Sequence, residues 1–467
     1  MRSTISLAAV GALCGAILMS GCESDRPAAF GEYSHLSSAP AKAASESANE
    51  KNLPRLTEQS ALADYLSFAA LNNPGLEAAF ERWKAAMEMI PQARALPDPQ
   101  FTFRYFVVAQ ATRDGDMRFA FDLAQTFPWF GKLQLKGDMA AAEAKAAYMR
   151  YEAQRLAVFA RVKDAYYEYR YVARATDIAK ENVDRLKSIE LIARAKYRNV
   201  TGSQPDLIRV QVELGKMEDE LESMRDMRNP IAARLNAALG RPADAPLPAS
   251  LPVGDGDDTV AEGRLQAWME QSNPELKAMD ADIAREIKGI ALAGKDYYPD
   301  FMLGVSYDAM VHARGVMMPP ENPIAVMVSV NVPIWWNKYA AGVRQAQARY
   351  NAAMKDKQDK TYSLGSDIRM ESYNFRNARR KVVLYRDTLL PKADAALRST
   401  LASYQTGAAT FADLIDTQRT LLEFQLNYER AYADRRQALA RLEAIAGRPL
   451  APEARPEGTP SSQPATE

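Results

Sequence analysis

The chain has almost no cysteine and almost no histidine, two of each in 467 residues. Cys14 lies in an apolar leader, so the chain left after its removal keeps only Cys22, which excludes an internal disulfide. His35 and His312 are too far apart in context to mark a site, and no Cys/His cluster has metal-ligand spacing. A Gly-rich phosphate loop and a serine nucleophile motif are also missing. The many carboxylates lie on helical faces where solvation accounts for them. The sequence therefore reads as a non-enzyme with no cofactor. Lys+Arg and Asp+Glu balance at 59 each, which argues against nucleic acid as a partner. Beyond the leader no apolar run is long enough for a transmembrane helix.

The leader itself carries Arg2, an apolar run over 5–19, then Ser20-Gly21-Cys22. Residues 1–21 read as a signal peptide, and small residues before a cysteine resemble a lipobox, with Cys22 as the lipidated first residue. Met19 stands where that motif usually has leucine, and the alternative is an ordinary leader with an incidental cysteine. Glu23 follows, and by enterobacterial sorting rules the absence of Asp there favours the outer membrane. Residues 22–56 are rich in Ala, Ser, Glu and Pro and read as a flexible, lipid-anchored tether, and 450–467 as a disordered tail.

Between these ends the sequence repeats itself. Tyr197, Asp206-Leu207-Ile208, Gln211 and Gly240-Arg241-Pro242 recur as Tyr404, Asp413-Leu414-Ile415, Gln418 and Gly447-Arg448-Pro449, a constant offset of 207. Nearer the start of each half, Asn73-Pro74-x-Leu76 and Pro99-x-Phe101 recur at an offset of 200 as Asn273-Pro274-x-Leu276 and Pro299-x-Phe301. This is one large unit duplicated and fused, and the period is too long for a solenoid. The expected units are 57–242 and 258–449, joined by a linker over 243–257.

Each unit reads as long helices flanking one hairpin. The stretch 132–197 has no proline and is dominated by good helix formers. A helix of about 65 residues would extend roughly 100 Å, which implies coiled-coil packing. The counterpart over 339–404 contains Pro391, which is expected to kink or interrupt it. Turns at Gly202 and Gly407 lead into further amphipathic helices ending at Gly240 and Gly447.

The hairpins, at about 100–128 and 300–333, alternate with period two. Phe101, Phe103, Tyr105 and Val107 share one face, as do Phe119, Phe121 and Leu123. In the second unit Phe301, Leu303, Val305 and Tyr307 share a face, as do Ile324, Val326, Val328, Val330 and Val332. Segments 109–116 and 309–323 are expected to be exposed loops. Strands of this length with one apolar and one polar face fit a membrane barrel, which must close because an open edge in lipid leaves backbone groups unpaired. Four strands cannot close alone, so several chains are required, and three would give twelve strands.

The junction Gln125-Thr-Phe-Pro-Trp-Phe-Gly-Lys132, its counterpart Val330-Asn-Val-Pro-Ile-Trp-Trp-Asn-Lys338 and the segment Tyr404-Gln-Thr-Gly-Ala-Ala-Thr-Phe-Ala-Asp413-Leu-Ile-Asp416 resemble the TolC family of outer-membrane efflux channels, over about 57–449. The resemblance implies a mainly α chain with a membrane β-barrel: a long helical coiled-coil barrel in the periplasm and a twelve-stranded barrel in a homotrimer. It implies a passive conduit for drugs or metal ions, working with a periplasmic adaptor, an inner-membrane pump and outer-membrane lipid. Type I protein secretion, a lipid-anchored coiled-coil scaffold without a pore, and a diffusion porin open at rest are the competing readings.

Residue by residue, the resemblance places a channel constriction at Asp413 and Asp416, which share a helical face, with Asp206 aligned to Asp413. The alternative is that these aspartates cap the start of the last helix. Arg209 aligns with Asp416, so the ring would mix charges, and Ala409 stands where better-known members carry a gating arginine. The adaptor-contact tip would comprise Val200, Thr201, Gly202, Thr406 and Gly407, with Val200 aligned to Gly407. Trp129, Trp335 and Trp336 would form an interfacial aromatic belt, or pack at a sharp bend. Met302, Met310, Met317, Met318 and Met327 are either adaptable apolar fillers or soft ligands for cuprous or silver ions.

Overall fold

The computed structural model describes residues 56–112, 115–199, 202–249, 251–252, 260–311 and 322–450. Cys22 with the leader and tether, the tail, both histidines, Val200, Thr201, Met317 and Met318 lie outside the described residues. The elements run α1 (Leu62–Asn72), α2 (Pro74–Arg94), β1 (Gln100–Thr112), β2 (Gly115–Phe127), α3 (Lys132–Arg198), α4 (Gln204–Leu239), α5 (Glu262–Ser272), α6 (Pro274–Lys295), β3 (Phe301–Val311), β4 (Ile324–Val330), α7 (Trp336–Leu384), a π-helical turn (Tyr385–Leu389), α8 (Leu390–Thr406) and α9 (Phe411–Ala446). The second half repeats the element order of the first. Contacts divide the described residues into two compact units, one from the stretches 81–148 and 278–357, the other from 56–80, 149–277 and 358–450.

The first unit holds the sheet, whose order is β1-β2-β3-β4, antiparallel throughout. Its faces alternate as the sequence predicts. Phe101, Phe103, Tyr105, Leu123, Leu303, Val305, Val326 and Val328 are exposed on one side, and Ala120, Gly304 and Ser306 are buried on the other. On that second side the Arg104 guanidinium makes a two-pronged bond to Asp122 on the neighbouring strand, at 3.1 and 3.0 Å. The expected loop over 109–116 is instead largely strand. The pairing slips between Tyr105, opposite Phe119, and Gln110, opposite Met117. Val107 and Val108 are consequently both exposed, which breaks the alternation that marks a strand in the sequence. Beside the sheet, α2 buries Trp83, Met87 and Ile90, with the Trp83 ring 5.1 Å from Tyr148 of α3.

The described part of the second unit holds two extended apolar cores beside a smaller one of Val382, Ala431 and Tyr432. One joins Tyr65 and Phe68 of α1 to Val158, Val162, Tyr166 and Tyr169 of α3 and to Leu235 and Leu239 of α4. The other joins Val183, Leu186 and Ile189 of α3 to Val210, Met217 and Leu221 of α4 and to Tyr404, Phe411 and Leu414. Each such side chain contributes about 1.5–3 kcal/mol by leaving water. Among the described residues no helix is long and apolar enough to cross a membrane.

Pro391 does not interrupt the helix. The chain stays helical through the π turn, where the Leu390 N–H donates to the Tyr385 carbonyl five residues back, and Pro391 occupies the first turn of α8. The repeat explains the turn. Buried Leu364, Ile368, Phe375 and Ala378 correspond at an offset of 206 to buried Val158, Val162, Tyr169 and Val172, the offset that also relates Lys132 to Lys338. Beyond the turn buried Ala393 corresponds to Leu186 at 207, as Tyr404 does to Tyr197. One extra residue has entered the helix between 378 and 393, the stretch that holds the π turn, and such a turn absorbs it without rotating the buried face out of register.

Candidate functional site

The two helix turns of the second unit bring most of the sequence-derived residues together. α8 ends at Gly407, whose φ of +85° is the left-handed cap conformation. The Ala408 and Ala409 amides both donate to the Ser403 carbonyl, at 2.7 and 3.2 Å, and the Thr406 hydroxyl donates to the same carbonyl at 3.0 Å. The matching turn after α3 is closed by the Gly202 amide, which donates to the Lys196 carbonyl at 3.0 Å. A Cβ on Gly202 would lie 2.8 Å from that of Lys196.

Lys196 is a residue that sequence reasoning missed. Its ammonium donates to the main-chain carbonyl of Tyr404 and lies 4.6 Å from the centre of the Tyr404 ring. It thereby ties the last turn of α3 to the last turn of α8 and neutralises carbonyls at that helix end. The Tyr404 ring packs edge-on against Phe411, 5.7 Å away. Burial pushes its phenol above the usual value, and the charge of Asp206 adds to the rise.

The aspartates occupy different environments. Asp413 closes a capping box with Thr410: the Thr410 amide and hydroxyl donate to its carboxylate at 3.0 and 2.6 Å, and the Asp413 amide donates back to the Thr410 hydroxyl at 3.2 Å. The Thr410 hydroxyl, then its amide, hold the carboxyl below the usual carboxylate range. Asp206 sits at the equivalent place of α4, half-buried, its amide 3.4 Å from the Ser203 hydroxyl. Asp416 is exposed one turn on, and its carboxylate makes no hydrogen bond or ion pair among the described residues. Thr410 and Ser203 are also residues the sequence reading passed over, although Thr-x-x-Asp and Ser-x-x-Asp before an apolar run are the signal for such caps.

Deeper along the same helices, Arg419 of α9 makes a two-pronged pair with Glu213 of α4. Burial opposes the charged form of Glu213, but the Arg419 hydrogen bond and charge, joined by Lys216, outweigh it and hold the carboxyl below its usual range. Beside this pair the buried Gln418 amide donates to Asn182 at 2.9 Å, and a cleft of about 230 Å³ opens among Asn182, Met217, Ile415 and Arg419.

The tryptophans are separate from these turns and lie where strands become helices. Trp129 is half-buried, stacked on Tyr298 at 5.1 Å and Phe301 at 5.6 Å, and its amide donates to Asp300 at 2.7 Å. The buried Lys132 ammonium completes that junction, 3.0 Å from Asp300 and 3.5 Å from Asp296. Trp335 and Trp336 are two-thirds exposed. Of the methionines, Met302, Met310 and Met327 lie on β3 and β4. Among the described residues no group of three His, Cys, Asp or Glu could hold a metal ion.

A long-helix chain with one apolar-faced sheet also describes known proteins. The chain is 24 % identical over 394 residues to outer membrane protein TolC of Vibrio cholerae, covering 80 % of this chain and 87 % of that one. It is 22 % identical over 389 residues to the cobalt-zinc-cadmium resistance protein CzcC of Cupriavidus metallidurans, covering 82 % and 89 %. Its fold matches the crystal structure of the outer membrane protein VceC of Vibrio cholerae with a TM-score of 0.70 at 16 % identity, covering 84 % and 97 %. The family model for outer membrane efflux proteins matches residues 65–241 and 269–448, one stretch in each half, and the chain belongs to that family.

Proposed function

We propose that the chain is one subunit of a trimeric efflux conduit that carries small molecules, drugs or metal ions, out through the outer membrane. The observation that carries the trimer is the sheet: four strands, an apolar face turned outward, and no partner for the outer edges of β1 and β4 among the described residues. Such a sheet is stable in lipid only as part of a closed barrel, and three copies of the four strands supply twelve, above the eight-strand minimum. The chain is a conduit and performs no catalysis. Its energy comes from an inner-membrane pump, coupled through a periplasmic adaptor.

In this reading residues 1–21 are a signal peptide, Cys22 carries the lipid, 22–56 are the tether, and 57–242 and 258–449 are the two efflux repeats. Asp416 supplies the constriction charge, with Asp413 and Asp206 beside it on the helix starts. The exposed turns with Gly202, Thr406 and Gly407 face the adaptor, and Val200 and Thr201, outside the described residues, adjoin Gly202 in sequence. Trp335 and Trp336 sit at the membrane interface.

Size-exclusion chromatography with light scattering on the detergent-extracted mature protein tests the trimer. Three chains per particle are expected, and a stable monomer would overturn the conduit, since four strands cannot close.

A further inference from the structure

We infer that Arg209 is the counter-charge of Asp416, so that the constriction carries a cation level with each carboxylate and prefers neither sign of charge. This rests on the trimer and on the constriction at Asp416 read above. It narrows the cargo to uncharged or zwitterionic organic molecules, as against free metal cations.

The two helices that follow the turns start from equivalent caps. α4 opens on Ser203 and α9 on Thr410, each hydroxyl accepting from the amide of the aspartate three residues on. The caps are 207 apart, the offset of the repeat, so Arg209 and Asp416 each stand six residues past a cap. Both lie about 9 Å along their helices, at one height.

The ion pair already formed shows that α4 and α9 adjoin at this level. Glu213 of α4 holds Arg419 of α9, and in the repeat Glu213 matches Thr420, the residue next to Arg419. Arg209 is one turn before Glu213, at i and i+4, and Asp416 one turn before Arg419, at i and i+3. Each therefore shares a helix face with a member of that pair. The rung nearer the caps has the same two charges with their helices exchanged, the cation on α4 and the carboxylate on α9. Charges in this order attract both across the helices and along them. Arg209 and Asp416 are exposed on the single chain, and neither charged group makes a hydrogen bond or ion pair among the described residues.

The rest of each turn agrees in sign. Residues 196–209 hold Lys196, Arg198 and Arg209 against Asp206, whereas 404–416 hold Asp413 and Asp416 and no cation. The first turn is basic and the second acidic, and around three chains the two kinds alternate. A ring of bare carboxylates would concentrate cations in the opening, which suits a conduit for metal ions. Alternating charges offset one another instead, and beyond a Debye length of about 8 Å little field of either sign remains. A molecule with both charges or none crosses such a ring without meeting an unmatched charge.

Reversal potentials of the full-length protein in planar bilayers test the counter-charge, under gradients of potassium chloride and of magnesium chloride. The parent is expected to show similar permeability to cation and anion in both salts. Arg209→Gln leaves the carboxylates bare and is expected to raise the cation-to-anion permeability ratio about tenfold. Asp416→Asn is expected to lower the ratio, and Arg209→Asp combined with Asp416→Arg to bring it back to that of the parent. A parent strongly selective for potassium over chloride would overturn the counter-charge, as would an Arg209→Gln variant with the parent's ratio when Asp416→Asn shifts it. A parent selective for magnesium over chloride would overturn the cargo class. If neither substitution moves the ratio in a protein that light scattering shows as three chains, the constriction reading falls, and one chain per particle overturns the trimer.

Discussion

The Asn273 side-chain amide donates to the Ile445 carbonyl at 2.8 Å, and Gly447, two residues on, turns back against Ser272 and Asn273 so closely that a Cβ would lie 2.6 Å from the Ser272 carbonyl oxygen. The first half repeats this: Asn73 donates to Ala238 at 3.0 Å, and a Cβ on Gly240 would lie 2.5 Å from the Asn72 carbonyl oxygen. Asn73 and Asn273 also accept from the amides that open α2 and α6. The two repeated motifs, Asn-Pro-x-Leu and Gly-Arg-Pro, are thus halves of one joint, in which a helix C-cap docks on the turn between two helices.

This joint predicts a split among the glycines. Gly407 and Gly447 are both left-handed, but nothing lies within 4 Å of a Cβ on Gly407. Gly407→Ala is expected to cost about 1 kcal/mol, the price of the backbone conformation alone. Gly447→Ala adds a clash with backbone that cannot swing away and is expected to cost at least about 3 kcal/mol. Thermal melts in detergent compare the two, and equal losses would remove the clash from the account.

The aspartates should separate by task. Thr410→Ala removes the cap and is expected to cost about 1 kcal/mol of stability. Asp416→Asn touches no hydrogen bond and is expected to leave the melting temperature unchanged while raising single-channel conductance. Unchanged conductance in a folded trimer would take Asp416 out of the constriction.

Acid should loosen the α4–α9 contact in a way that Arg419 controls. Glu213 is held below its usual range, so its contribution is present above the unfolded glutamate value of about 4.3 and is lost as pH falls through the depressed native value. With Arg419→Gln, only Lys216 is left to oppose burial at Glu213, so its carboxyl rises and the loss should begin at higher pH. Melting temperatures of both proteins from neutral pH to about pH 3 show this as an acid limb displaced upward in the variant. Coincident limbs would mean the pair carries no net stability.

The π turn should depend on the added residue more than on the proline. Pro391→Ala is expected to keep the turn and change stability by less than about 1 kcal/mol, since Pro391 sits in a first helical turn where its missing N–H costs little. Deleting Thr388 removes the extra residue and lets an ordinary helix run through, as in α3, with the buried faces on both sides still in register. The melting temperature is expected to stay close to that of the parent. A loss of many degrees would refute the insertion.

Much of this molecule follows from local pattern. Offsets of 200 and 207 mark the duplication, proline-free Ala-rich stretches mark the long helices, and period-two apolar rows mark the strands and their outward face. These are visible because helices and strands expose different periodicities, and a residue's neighbours in sequence decide which one appears. The junction and turn motifs carry the family for the same reason: they are contiguous. What depends on residues far apart in the chain was hidden. The continuation of β1 to Thr112 rests on cross-strand pairing past an irregular slip. The pinning of Tyr404 by Lys196 joins residues more than 200 positions apart. Only packing shows that Pro391 leaves the helix continuous, because a one-residue insertion is silent until the buried faces on both sides must meet the same core. The two repeats determined which elements form, and tertiary packing decided where their polar ends and edges find partners.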